Sequence, residues 1–249
     1  MAFFNNIWQG ISFFMAGFVG VFGIIITVII YKKYIQRKQK MLVILGSALL
    51  CWALAALLDT IFFTIARTET STIEQFNQIV SLGSFISFVL NAVGNIFLII
   101  FIVYLFFDEN YNKLFYTLIV LESLILPFGL VCMNTSIPIL FNYMIHLLAS
   151  FIIYILLALN SFKMRKKLKK IGGTEKSSIM AIEFIGIAGI MLCSLLFCFL
   201  IQEIISMSMG ENAEQTIFVS LGWLLAGLGA FLLYVGYLKP KWFKRRYDK

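Results

Sequence analysis

Charge, proline and histidine are scarce in this chain. Charged residues fill 13% of its 249 positions, and it has three prolines and one histidine. A soluble domain carries about 25% charged and about 45–50% apolar residues. Here the apolar share is 61% and the mean hydropathy is +0.95. That leaves too little polar surface to cover a water-soluble core, and composition places the chain in the membrane class. The shortage of proline argues against the broken helices that build many transporter sites. Only Pro127 lies well inside an apolar run, where it is expected to kink the helix. The four cysteines (Cys51, Cys132, Cys193 and Cys198) all fall inside apolar runs, which is neither a disulfide framework nor a metal spacing. No cofactor and no metal is expected.

What is abundant is long apolar sequence. A helix needs about 20 apolar residues to cross a bilayer, and seven stretches qualify: 11–31, 41–66, 79–107, 114–133, 139–161, 179–204 and 216–238. They are continuous rather than alternating, which argues against a barrel. The expected fold class is therefore all-α, a polytopic membrane protein forming one seven-helix transmembrane domain over residues 1–249. Lys and Arg orient it. Lys32, Lys33, Arg37, Lys38 and Lys40 follow the first span. Lys113 follows the third, and seven more from Lys163 to Lys176 follow the fifth. Six from Lys239 to Lys249 follow the seventh. Of 20 basic residues only Arg67 falls on the other side. The expectation is an N-terminus outside and a C-terminus in the cytoplasm of a cell membrane. The opening MAFFNNIWQG has no basic n-region or cleavage pattern, so the first span reads as an uncleaved anchor. The net charge of +8 gathers at the inner rim, which suits anionic lipid headgroups rather than nucleic acid.

Polar residues inside hydrocarbon cost about 2.5–3.5 kcal/mol when ionisable, so the few present are the best clues. Helical rise places Glu122 near the middle of span four, His146 in the outer half of span five and Asp59 toward the outer end of span two. Span three carries Gln78, Ser81, Ser84, Ser87, Asn91 and Asn95 at steps of three and four, along one helical face. Span five adds Asn142, His146 and Ser150. One reading is a ligand-binding pocket open to the outside, lined by Asp59, Ser84, Asn91, Asn95, Glu122 and His146. Asp59 and His146 would lie at one depth, within reach of pairing, and Glu122 would lie at the floor, able to hold a proton. The other reading is that these groups only hydrogen-bond helices together, for about 0.6 kcal/mol each. Glu183, near the inner end of span six, is expected to reach toward Lys170 or Lys176.

Several seven-helix chemistries lack their residues. Span seven has no lysine to hold retinal. The acidic-Arg-Tyr and Asn-Pro-x-x-Tyr motifs of G-protein-coupled receptors are missing. A zinc hydrolase would need several histidines, and only His146 is present. The chain's end, Leu232-Leu233-Tyr234-Val235-Gly236-Tyr237-Leu238 followed by Lys239-Pro240-Lys241-Trp242-Phe243-Lys244-Arg245-Arg246, and the stretch Leu50-Cys51-Trp52-Ala53-Leu54 are distinctive. They resemble the seven-helix sensor input regions of prokaryotic histidine kinases and related signalling proteins. The resemblance implies a sensor whose tail exits at headgroup depth on Trp242 and Phe243. No kinase, cyclase or PAS-like segment follows Lys249, so it also implies a separate cytoplasmic signalling partner.

These observations lead to a receptor-like membrane sensor that binds a small ligand or proton in the outer half of the bundle. A solute or ion carrier, or an accessory subunit of a membrane complex, is the alternative. A homo-oligomer is left open. An enzyme is not expected, because no nucleophile and base recur at helical spacing.

Overall fold

The computed structural model describes residues 4, 6–70, 72–107, 112–134, 140–171, 173–209 and 215–248. Among them there is no strand. The helices are α1 (Ile7–Arg37), α2 (Lys40–Glu69), α3 (Ile73–Phe106), α4 (Lys113–Ser123), α5 (Ile125–Asn134), α6 (Leu140–Ile171), α7 (Lys176–Met209), α8 (Ile217–Leu238) and α9 (Lys241–Tyr247). Seven stretches are long and apolar enough to cross a membrane, with α4 and most of α5 making up one of them.

Most helices overrun the apolar segments that seed them. α1 continues through Lys32 and Lys33 to Arg37, and α6 through Lys163–Lys170 to Ile171. Lys and Arg are good helix formers, and cations in a last turn complement the helix dipole. The ends are capped by side chains: Asn6 accepts from Gln9 N–H, Asn112 from Phe115 N–H and Thr216 from Phe218 N–H. After α6 the chain turns at Gly173, whose φ of 68° is the left-handed region that glycine enters at no steric cost.

The helices close a ring. α1 packs on α2, α2 on α3, α3 on α6, α6 on α7, α7 on α8, and α8 returns to α1. α4 and α5 pack against both α3 and α6, covering the seam between them. The tightest core lies at the end of the bundle that carries the α1–α2, α3–α4 and α6–α7 connections, called here the basic end. Ile30, Leu42, Leu45, Leu98, Phe101, Phe115, Leu157 and Leu233 meet there, almost wholly buried. The perimeter is apolar as well: Phe14, Phe18, Leu148, Leu159 and Phe197 are each more than half exposed.

The tail differs from its sequence reading. α8 ends at Leu238, Lys239 takes a left-handed turn with φ 46°, and Pro240 starts a new helix. α9 folds back onto α7, and its Phe243 is fully buried against Phe184 and Tyr247. Asp248 completes the fold-back: its Oδ1 accepts the Ser177 N–H at 2.9 Å, capping the start of α7 from the far end of the chain. Lys239 Nζ donates to Ser178 Oγ at 2.9 Å beside it. The Ser177 N–H holds the Asp248 carboxyl below its ordinary value, with Lys244 and Lys239 adding to the effect. A carboxyl lowered by folding stabilises the folded state above its unfolded value of about 3.9, and that contribution is lost as pH falls through the lower folded value. The protection factors of the amides in the first turn of α7, taken against intrinsic exchange at each pH, are therefore expected to be high at neutral pH and to fall in acid. Asp248→Asn should remove that acid dependence; an unchanged acid profile in the variant would show that the cap is not what protects the turn.

Candidate functional site

Asn95, Glu122 and His146 meet at one place between α3, α4 and α6. The sequence puts Asn95 on the inward face of α3 and His146 on the inward face of α6, and the direct packing of α3 on α6 brings those faces together. Glu122 arrives from the covering helix. Pro127 explains how: it has no N–H to donate to the Ser123 carbonyl, and its ring crowds that carbonyl. The helix is interrupted at Leu124, so α4 stops one residue after Glu122 and α5 begins at Ile125. Glu122 thus sits in the last turn before the break, 2% exposed.

The contacts form a closed network. Glu122 Oε2 lies 2.7 Å from His146 Nδ1. Glu122 Oε1 accepts from Asn95 Nδ2 at 2.9 Å, and Ser150 Oγ lies 3.4 Å from it. Asn95 Nδ2 also reaches Ser150 Oγ at 2.7 Å, while Asn95 Oδ1 accepts from the Tyr154 hydroxyl at 3.0 Å. Ser150 Oγ donates back to the His146 carbonyl one turn earlier. Both carboxylate oxygens are satisfied, as a buried carboxylate in an apolar surround requires. Asn95 and Ser150 are fully buried, and the network's most exposed member is His146, at 7%. Phe88 stands edge-on to the His146 ring at 5.3 Å, and Tyr143 stacks on Phe88 at 4.0 Å.

Of the six sequence candidates, three share this network and three do not. Asp59 does not pair with His146, whose carboxylate partner is Glu122. Asp59 lies instead within electrostatic range of the Tyr143 hydroxyl, one turn along α6 from His146, where Glu203 of α7 joins it. Ser84 and Asn91 are half-buried on α3 and stand outside the network. The α3 stripe is graded, with Gln78 and Ser81 exposed, Ser87 buried and donating to the Ala55 carbonyl, and Asn95 enclosed. The side chain of Asn142 lies outside the described residues. Glu183 pairs with Arg165 at 3.0 Å rather than with Lys170 or Lys176, because α6 and α7 are neighbours and Arg165 faces across.

The network also takes in Ser150, which the sequence places on the α6 stripe, and Tyr154, which continues that stripe by one more step of four. Its phenol was legible as a member of the polar face by the same period that found His146. No group of three metal-ligating side chains occurs among the described residues.

No family model, curated protein or solved structure matches this chain. Function therefore has to be argued from the site itself. The network ties α3, α4 and α6 together. Toward the basic end it is followed by the buried apolar side chains of Leu98, Ile99, Ile102 and Leu157, with the buried Ser161 one turn beyond Leu157.

Proposed function

We propose that this is a multi-pass cell-membrane protein, N-terminus outside and C-terminus cytoplasmic, that works as a receptor-like sensor. Its membrane placement is supported by an inverted polarity: the perimeter is apolar and the enclosed residues include Asn95, Glu122 and Ser150. The orientation is supported by the 19 basic residues that the sequence places at one end. Arg67, the one exception, lies over the rings of Phe76 and Phe63 at 4.6 and 5.4 Å.

The observation that carries the sensing reading is the His146–Glu122 contact at the α4–α5 break. An ionisable pair that bridges neighbouring helices beside an interruption changes the packing of both when its proton count changes. His146 is the member closest to the outer half, behind Phe88 and Tyr143, with Asp59 and Glu203 nearby. A proton or a small ligand competing for His146 would loosen α4 from α6. The hydrogen bonding of both Glu122 oxygens and of the Asn95 amide also supports a second reading, an accessory subunit in which the network only holds helices.

Sensing requires that a change at His146 be felt at the basic end. The protection factors at residues 173–177 in the lipid-reconstituted protein are expected to change over about pH 5–8, and His146→Gln should flatten that change. Asp248 titrates far below this window, so its cap does not contribute. If His146→Gln and wild type give the same profile, the sensing reading fails and the accessory one stands.

A further inference from the structure

The geometry of α9 points to a docking surface for anionic phospholipid headgroups, built by the fold-back of the tail against α7 and α8. This rests on the membrane placement proposed above, but not on sensing.

α9 is anchored on one side only. Phe243 and Tyr247 face the protein, packed on Met180, Phe184, Phe231 and Tyr234. A rotation of 100° per residue then puts Lys241, Trp242 and Arg245 on the opposite side, with Lys244 and Arg246 on the flanks. All five are exposed, Trp242 by 52%. Two cations and an indole therefore share the outward face, two more cations flank it, and no described residue covers Trp242, on a helix separated from α8 by two residues. The chemistry that matches is a plane of phosphates above acyl chains: the indole takes the boundary between the two, and the Lys and Arg heads reach the phosphates. The buried Phe243 makes this a fixed platform, because α9 cannot turn its cations away without exposing that ring. The Asp248 cap holds its far end. Plain topology determination needs cations near a span, but it needs neither a helix nor an oriented tryptophan.

The test uses the full chain reconstituted with brominated phosphatidylcholine or brominated phosphatidylglycerol as the quenching lipid. The Trp242 signal is the difference between wild type and Trp242→Phe. The anionic phosphatidylglycerol is expected to quench it several-fold more strongly than phosphatidylcholine at equal mole fraction. Each cation near the surface contributes about 1 kcal/mol, about fivefold, so K241E/R245E should abolish the preference. Both changes leave Phe243 and Asp248 in place. Should that variant fail to fold, high salt on the wild type must erase the preference instead. Equal quenching by the two lipids overturns the proposal, as does a preference that survives both treatments. Displacement by excess inorganic phosphate would assign the surface to a soluble phosphate and overturn the lipid. Absence of quenching of any tryptophan by either lipid would overturn the membrane placement itself, a different outcome from loss of preference alone.

Discussion

Replacing Glu122 with alanine is expected to destabilise the folded protein by about 3–5 kcal/mol, the cost of removing one partner from a buried ion pair. The reason is what stays behind. His146 Nδ1 and Asn95 Nδ2 lose their carboxylate acceptor at a site where both residues are buried. Ser150→Ala is far milder, about 1 kcal/mol, because Asn95 keeps Glu122 and Glu122 keeps His146. Glu122→Gln should fall between, since its amide oxygen still accepts one hydrogen bond while the charge is gone. Reversible unfolding in mixed micelles measures all three on one scale. A loss under about 1 kcal/mol for Glu122→Ala would mean that the network is solvated, contrary to its burial. The same set separates the two functional readings. A purely structural network loses stability in every variant and leaves the protection factors of residues 173–177 independent of pH over about pH 5–8.

The second large effect is expected at Gly189 on α7. A Cβ there would lie 2.8 Å from the Tyr154 carbonyl oxygen and 2.9 Å from Ala158 N, both backbone atoms of α6. Neither can rotate aside, so Gly189→Ala must separate two helices along their contact. Overpacking of this kind costs about 1–3 kcal/mol, occasionally more. The displaced stretch of α6 carries Tyr154, so the Tyr154 hydrogen bond to Asn95 should weaken as well. Gly17 on α1 is the matched control. Its added Cβ would meet only the Thr60 side chain, at 3.7 Å, an ordinary contact. Gly17→Ala is then expected to be neutral or to stabilise by about 0.5–1 kcal/mol through helix propensity. Equal losses in the two variants, in the same unfolding measurement, would show that the α6–α7 spacing is not set by Gly189.

The resemblance to kinase input regions rested partly on a tail read as a plain membrane exit. In the structure that tail is a folded element. Lys239 turns, Pro240 starts α9 and Phe243 enters a pocket made by residues of α7 and α8. A periodic reading of 13 residues cannot find that pocket, because Phe184 and Phe231 are distant in sequence and nothing local announces them.

Hydropathy alone determined the seven helices and their order, because a run of about 20 apolar residues has few stable alternatives to a helix. Step-of-four spacing likewise put Asn95 on one face of α3 and His146 on one face of α6. Spacing tells which way a side chain points around its own helix, but not which neighbour stands opposite. That was decided by the ring order, in which α3 meets α6 directly and α4 lies over their seam. It gave His146 the carboxylate of Glu122 instead of Asp59, gave Glu183 the guanidinium of Arg165, and drew Tyr154 into the network. Pairings of this kind depend on the distance between whole helices, which is set by close contacts such as Gly189 against α6, and only the packed structure contains that distance.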